Sequence, residues 1–282
     1  MKRIYRDELV KFTFVLPALL LFCLAILIPF AKGANIAFTN WNGISPTYEY
    51  VGLRNLKLLF SDTDLLQIMG NTLQYTVFYT LFCNVFGLLL AVMLVSKFKG
   101  ENFIKSALFM PVIMSLVLTA YIFSYVYGTV FPSVLHISGL MGNEKTAMWG
   151  VILMASWKEV GLAMVIYYAG LQTIPKDVYE SSTIDGASPA RQFFSVTLPL
   201  LAPAFTYCIP LWIGNGLRMF DYVFAVGGPG RSTQTIAQYV YQYVFPFNKA
   251  GYGQMAGLVM FIFVMGATVI LTSILRKREV EY

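Results

Sequence analysis

The sequence predicts an all-α integral membrane protein with six transmembrane helices. Of its 282 residues, 57% are hydrophobic and only 12% are charged, and the mean hydropathy is +0.66. Such a composition is typical of proteins that cross the bilayer several times. A spanning helix needs about 20 predominantly apolar residues to cross about 30 Å of hydrocarbon. Six segments of the sequence meet this requirement.

The six predicted spans follow one another with mostly short connections. They comprise residues 12–34, 72–95, 104–127, 147–171, 200–220 and 255–275. The two longest connections, residues 35–71 and 221–254, are both predicted to be external. In the second of these, apolar residues at spacings of three and four from Ile236 to Val244 predict one more helix.

The lysine and arginine residues at the ends of the spans and between them predict the orientation. If the N-terminus is cytoplasmic, twelve of them lie on the cytoplasmic side and six lie outside. The twelve are Lys2, Arg3, Arg6, Lys11, Lys97, Lys99, Lys105, Lys176, Arg191, Arg276, Lys277 and Arg278. The six are Lys32, Arg54, Lys57, Lys145, Arg231 and Lys249. This excess fits the positive-inside rule, so both termini are predicted to be cytoplasmic.

The domain organisation follows from these spans. We expect a cytoplasmic segment at residues 1–11, a six-helix domain at residues 12–275 and a cytoplasmic tail at residues 276–282. The net charge of +6 is explained by topology. No basic stripe with interleaved aromatic residues indicates nucleic-acid binding.

Several kinds of chemistry are disfavoured by the residues present. His136 is the only histidine, which argues against a zinc site and excludes a histidine-based catalytic triad. The three cysteines each lie inside a predicted span and are expected to be reduced core residues. The segment "GGPGRST" has Arg231 where a phosphate-binding loop has lysine, so it is predicted to be a turn. We assign no catalytic residue and no metal site.

A polar stretch, residues 178–200, interrupts the apolar sequence with "VYESSTIDGASPARQFFSVTLPL". Pro175 can begin a first helix, and the glycine of an Asp-Gly pair, Gly186, can end it in a left-handed conformation. Ser188 can then cap a second helix that has Pro189 at its first position. The sequence therefore predicts a cytoplasmic helix-turn-helix, either an ordinary amphipathic connector or a rigid element that receives force from a soluble partner.

This stretch resembles the EAA motif of permease subunits of ATP-binding-cassette importers. The motif reads Glu-Ala-Ala, three residues, Gly, and an apolar stretch that ends in Leu-Pro. The positions carried over from the family are Glu180, Ser181, Ser182, Asp185, Gly186 and Ala187. The two serines stand where the family usually has alanines. Because serine is small, we expect altered packing and intact docking.

Segments along nearly the whole chain resemble the carbohydrate-uptake branch of these importers. They are "FTNWNG", "YVGLRNLKLLF", "NTLQYT", "WKEVGLAMVIYYAGLQTIP" and "FDYVFAVGGPGRSTQTIAQYVYQYVF". More narrowly, they are similar to the first permease of the maltose and glycerol-3-phosphate type. Together these segments are specific, although each alone would be a weak signal.

The resemblance implies a set of partners. These are a second homologous permease, a dimer of cytoplasmic ATPases that bind ATP and Mg, an extracytoplasmic solute-binding protein, membrane lipid and a sugar, with no nucleic acid. The EAA-type loop, at about residues 173–199, would dock its acid-bearing helix in a cleft of the ATPase. The chain itself would be a non-catalytic, multi-pass subunit of a prokaryotic cell membrane, without a cofactor of its own.

Polar and aromatic residues inside the spans predict the sugar path. A charged residue there costs about 3 kcal/mol and therefore indicates a functional site. The candidates are Trp157, Lys158, Glu159, Tyr121, Tyr125, Gly214, Asn215 and Arg218. Trp157 suits stacking on a sugar ring. Adjacent helical residues diverge by about 100°, so Lys158 and Glu159 cannot both face the cargo. Lining the path and pairing structurally therefore remain equal alternatives.

Two other classes compete with the importer permease. A self-sufficient, ion-driven secondary transporter usually has repeats and broken helices around an ion site, and the sequence shows no clear repeat or carboxylate cluster. An intramembrane enzyme needs a metal-ligand set or a nucleophile with a base, and the sequence offers no convincing example of either. A secondary transporter also gives no reason for the EAA-like stretch.

Overall fold

The computed structural model describes residues 2–96, 98–136 and 139–277, with side chains from residue 11 onward except at residue 135. Lys97 and residues 278–282 of the predicted tail lie outside the described residues. Within the described residues the chain is helical, and the sole β pairing is an isolated bridge between Thr39 and Tyr50.

Fourteen α-helices are found in the described residues. They are α1 (Lys2–Phe22), α2 (Ile28–Ile36), α3 (Arg54–Ser61), α4 (Thr63–Val95), α5 (Glu101–Ile113), α6 (Leu116–Tyr125), α7 (Glu144–Gln172), α8 (Lys176–Ile184), α9 (Pro189–Gln192), α10 (Leu198–Leu200), α11 (Ala202–Leu217), α12 (Asp221–Val226), α13 (Ile236–Val244) and α14 (Ala250–Arg276). Three π-helical segments continue α1, α6 and α9, namely Cys23–Leu27, Val126–Leu135 and Phe193–Thr197, and Leu140–Gly142 is a 3₁₀ turn.

Five helical runs are long and apolar enough to cross a membrane. They are Lys11–Ile36, Thr63–Val95, Leu116–Val134, Glu144–Gln172 and Ala250–Arg276. A sixth span is obtained if Pro189–Leu200 and Ala202–Leu217, which meet at a bend of 68°, are taken together. The all-α membrane fold expected from the sequence is therefore confirmed.

The third predicted span is wrong in its bounds, because residues 104–127 do not form one helix. Helix α5 ends at Ile113, and Met114 has an extended ψ of 143°. Ser115 then caps α6 by accepting a hydrogen bond of 3.2 Å from the Leu118 N–H. A cap of this kind competes with continuation of the helix. Hydropathy alone did not show the break, since both flanking segments are apolar.

The described residues divide into two compact units. The first comprises residues 1–62 with 240–259, and the second comprises residues 63–239 with 260–282. The core of the second unit includes buried residues of α4, α7 and α11. Helices α4 and α7 approach closely at Gly87, where a β-carbon would lie 2.5 Å from the β-carbon of Ala163. Small residues at such crossings let two helices pack backbone to backbone in a membrane.

Candidate functional site

Helix α8 and the turn after it form the polar stretch that the sequence singles out. Pro175 is the N-cap of α8, whereas the sequence predicted it to be the first helical residue. Helix α8 ends with Asp185 as its C-cap. The Gly186 N–H bonds to the Thr183 carbonyl and the Ala187 N–H bonds to the Ser182 carbonyl, both at 3.0 Å. This pair of bonds is a Schellman motif.

Gly186 adopts a φ of +76°, which confirms the left-handed helix end expected there. A β-carbon at this position would meet no atom within 4 Å. Glycine is therefore favoured here by backbone conformation and not by lack of space. The predicted cap of the following helix is also confirmed, since the Ser188 hydroxyl accepts a bond of 3.4 Å from the Arg191 N–H.

Two side-chain contacts hold the halves of this hairpin together, and sequence reasoning missed both. The Gln192 amide donates to the Thr183 hydroxyl at 2.8 Å. The hydroxyls of Tyr179 and Thr197 lie 3.1 Å apart. The hairpin is consequently braced at two levels, and only its end caps had a recognisable sequence signal.

One face of α8 is open to solvent. Asp177, Glu180, Ser181 and Ile184 follow at helical spacing and are all exposed, with Ile184 at 87%. Within the described residues the Glu180 carboxylate has no hydrogen bond or ion pair. The hairpin thus presents an unpaired acid next to a large exposed apolar side chain, which is the chemistry of a docking surface.

The two serines that replace alanines satisfy their own hydroxyls. Ser181 donates to the Asp177 carbonyl at 2.9 Å, and Ser182 donates to the Tyr179 carbonyl at 2.8 Å. These are bonds within α8. A serine whose hydroxyl is already bonded enters an apolar socket at a smaller cost than a free hydroxyl does.

In the fourth span, Lys158 is buried and held by internal partners. It is 8% exposed, and its Nζ donates to the Val112 carbonyl at 2.9 Å. Val112 lies in the last turn of α5, where carbonyl groups lack helical partners. A cation is also favoured at this end of a helix by the helix dipole. Lys158 therefore caps the C-terminus of α5 from α7.

Close helix packing brings Lys158 within reach of that carbonyl. A β-carbon on Gly161 would lie 2.5 Å from the Leu108 carbonyl oxygen, so the backbones of α7 and α5 are in contact.

Glu159 lies 3.9 Å from the Lys158 amine and accepts a bond of 3.0 Å from the Tyr222 hydroxyl. Tyr222 was missed by sequence analysis, because it lies 63 residues further along the chain.

The aromatic candidates of the predicted path are open at the surface of this chain. Tyr121 and Tyr125 on α6 are 74% and 60% exposed, and Trp157 is 40% exposed. The Trp157 ring lies 5.3 Å from that of Phe123. Tyr121 lines a cavity of about 500 Å³ together with Asp221. Each of the three aromatic rings is therefore accessible at the surface of this chain.

The polar candidates at the end of α11 pair with each other. The Arg218 guanidinium donates to the Asn215 side-chain oxygen at 2.8 Å. Within the described residues no hydrogen bond or ion pair links them to Lys158 or Glu159. Gly214 is half-buried, whereas the closer helix contact is made by Gly216, whose β-carbon would lie 2.9 Å from Thr76.

The glycine-rich segment at residues 227–235 forms the expected turn, with positive φ at Gly227 and Gly230. It is fixed to the start of α4. The Asn71 amide donates to the Arg231 carbonyl at 2.8 Å, and the Arg231 side chain forms an ion pair with Asp64. Asn71 and Asp64 had no sequence signal that linked them to this turn.

The sequence is similar to curated transport permeases. It is 32% identical to the probable starch degradation products transport system permease protein AmyD of Thermoanaerobacterium thermosulfurigenes, over 99% of this chain and 98% of that protein. It is 31% identical to the multiple sugar-binding transport system permease protein MsmF of Streptococcus mutans, over 95% and 96%.

The fold is shared with a solved transporter. A bacterial ABC transporter involved in the import of the acidic polysaccharide alginate superimposes with a TM-score of 0.84, at 21% identity and over 98% of both chains. Residues 83–279 match the family described as binding-protein-dependent transport system inner membrane component. With a matched region that covers most of the chain, full-length relatives and several apolar spans, this multi-pass membrane protein belongs to the family of binding-protein-dependent transport system inner membrane components.

Proposed function

We propose that this chain is the transmembrane permease subunit of an ATP-driven sugar importer and that α8 is its contact with the ATPase. The observation that carries the proposal is the exposed face of α8, on which the Glu180 carboxylate is unpaired within the described residues. A second homologous permease, an ATPase dimer with ATP and Mg, and an extracytoplasmic solute-binding protein complete the importer. The chain contributes no catalytic chemistry of its own.

The proposed orientation places both termini and the α8 hairpin in the cytoplasm. It rests on the twelve-to-six excess of basic residues. The predicted boundaries of the six-helix domain, residues 12–275, are part of the same proposal.

Coupling requires that a movement of α8 be transmitted to the membrane spans through a short and rigid connection. Only residues 173–175 separate α7 from α8, and Ile174 in this link is 8% exposed. The hydroxyl contact of Tyr179 with Thr197 also connects α8 to the π-helical segment Phe193–Thr197, which leads into the fifth span. Movement of the docked ATPase would thus reposition two spans together, and the two permeases would alternate between outward and inward access.

The proposed cargo is a sugar, most simply a di- or oligosaccharide. Support comes from the relatives, whose names refer to starch degradation products and to multiple sugars. The exposed rings of Trp157, Tyr121 and Tyr125 offer stacking surfaces for pyranose rings, and Asn215 and Arg218 offer polar groups. For Lys158 and Glu159 we propose structural pairing, because both already have partners inside this chain.

Co-purification and uptake test the proposal together. The tagged chain is purified from its native membranes in mild detergent, and uptake of labelled maltotriose is measured in the same cells. We expect a second permease and an ATPase to co-purify. Glu180→Lys should remove the ATPase from the purified complex and abolish uptake, because it reverses the charge at the centre of the docking face.

Glu49→Lys is the matched control, since it reverses the charge of an exposed glutamate on the side predicted to be external. It should leave ATPase recovery unchanged. Normal ATPase recovery with Glu180→Lys at wild-type expression would refute the docking role. Ion-driven uptake by the purified chain alone in liposomes would refute the importer in favour of the secondary transporter.

A further inference from the structure

The first unit contains a cavity that the proposed transport path does not use. It has a volume of about 480 Å³, within the range of about 300–1,000 Å³ that small-molecule sites occupy. Its walls come from the connection between α2 and α4 and from residues around the start of α14. These two segments were both predicted to be external, and all the lining residues belong to one compact unit.

The cavity walls are fixed by hydrogen bonds. The Asn55 amide donates to the carbonyls of Ala37 and Thr39, both at 2.8 Å. The Gly251 N–H donates to the Trp41 carbonyl at 2.8 Å, and a β-carbon on Gly251 would lie 2.0 Å from the Thr39 carbonyl oxygen. The two distant segments are thus joined closely, with no room for a side chain at position 251. Because these contacts fix the walls, the pocket is preformed.

Two cations line this cavity. Arg54 and Lys249 are both exposed, and within the described residues neither forms an ion pair. Lys249 lies 6.0 Å from the centre of the Tyr243 ring. The single acid of the lining, Asp62, accepts a bond of 3.4 Å from the Tyr252 hydroxyl. The cavity therefore carries a net positive charge and favours an anion.

Aromatic surface lies beside these cations. The Trp41 indole N–H is already donated to the Ser45 carbonyl at 2.8 Å, so Trp41 contributes mainly its apolar ring. Tyr243 adds a second ring to the lining, and Asn40 and Asn248 add amide groups. Rings, amides and cations together match a ligand that has an apolar ring face, hydroxyl groups and a carboxylate.

We propose that this cavity binds an acidic saccharide, with the carboxylate paired to Arg54 and Lys249 and the sugar ring against Trp41 and Tyr243. In the proposed importer, this cavity would be an accessory site that captures the sugar on the side predicted to be external. Only this role in sugar uptake rests on the proposed function. Its test measures binding and not transport, so either proposal can fail while the other stands.

The test is isothermal titration of the intact transporter complex in nanodiscs, without solute-binding protein or nucleotide. The probes are digalacturonate and α-1,4-galactobiose, which share rings and linkage and differ by carboxylate against hydroxymethyl. We expect digalacturonate to bind about tenfold more tightly, as charge-assisted hydrogen bonds require. Arg54→Gln and Lys249→Gln should each weaken its binding about tenfold.

Lys57→Gln is the matched control, because it removes an exposed cation from α3 outside the cavity lining. It should leave digalacturonate binding within about twofold. Unchanged thermal unfolding of all three variants shows that they are folded.

Three outcomes would overturn the proposal. They are no binding of digalacturonate, equal affinity for the two sugars, and an equal loss with Lys57→Gln. The absence of free-sugar binding, combined with weaker capture of the solute-binding protein by the Arg54 and Lys249 variants, would identify the cavity as a protein docking site instead.

Discussion

The α8 hairpin and the polar cluster around Lys158 are both built from charged and hydroxyl residues, yet they are stabilised over different distances along the chain. The longest hairpin bond described above, between Tyr179 and Thr197, links residues 18 apart. In the cluster, Lys158 bonds to a carbonyl 46 residues away and Glu159 to a hydroxyl 63 residues away. The hairpin is therefore a local structure, whereas the cluster exists only when three helices have packed.

The strongest test of this contrast is Lys158→Met, which leaves Glu159 and the Val112 carbonyl without their cation. Breaking a buried pair from one side costs about 3–5 kcal/mol. We expect about 3 kcal/mol, since Glu159 keeps 22% of its side chain exposed. Thermal unfolding of the detergent-solubilised protein measures the loss as a lower midpoint.

The double variant Lys158→Met/Glu159→Gln is the control for that measurement. It removes both charges and should recover part of the lost stability. If the single and double variants unfold at the same temperature as the wild type, the cluster has no structural role and the cargo-lining alternative regains support.

Tyr222→Phe should have the next largest effect, because it removes the hydrogen bond to Glu159. Bonds to charged groups contribute about 1.5–3 kcal/mol. The matched control is Tyr75→Phe, since the buried Tyr75 hydroxyl has no partner within the described residues. We expect Tyr75→Phe to be neutral or stabilising in the same unfolding assay. Equal losses for the two variants would contradict the role of Tyr222.

Gly186→Ala tests the local side of the comparison. An L-residue in the left-handed region costs about 1–2 kcal/mol, and here no steric clash adds to it. Hydrogen exchange of the α8 amides should accelerate about fivefold or more, in proportion to this cost. Gly70 lies in the interior of α4 with open space around it. Gly70→Ala should therefore slow hydrogen exchange of the neighbouring α4 amides. The same sign for both variants would mean that conformation does not decide the effect.

Ser182→Ala is expected to have the smallest effect. Its hydroxyl bonds only within α8, so unfolding should change by less than about 0.5 kcal/mol and uptake should remain normal. Ser182→Leu keeps the helix but adds volume, and it should reduce uptake if the docking socket is tight. A large loss with alanine would show that the hydroxyl itself contacts a partner.

The sequence predicted best what neighbouring residues determine. The turn at Gly186 and the cap at Ser188 follow from backbone preferences of single residues, and both are confirmed. Hydropathy located the spans because it averages over many residues. The same averaging hid the break at Met114, where one serine cap outweighs an apolar context.

Long-range partners could not be predicted in the same way. Nothing in the residues near Tyr222 points to Glu159, because their contact depends on how the helices pack. The sequence left two roles open for Lys158 and Glu159, and only the distances to Val112 and Tyr222 favour one of them. The residues that brace the hairpin, Gln192 and Thr183, were missed since polar exposed side chains have many available partners.

The interrupted third span also has a consequence for biogenesis. During synthesis, residues 101–135 leave the ribosome before Lys158 does, so the Val112 carbonyl enters the membrane without its capping cation. An unsatisfied backbone group in hydrocarbon costs several kcal/mol. The end of α5 is therefore expected to stay near water or the insertion machinery until α7 arrives. Because Lys158 caps α5 from α7, we expect α5 to complete its insertion together with the fourth span.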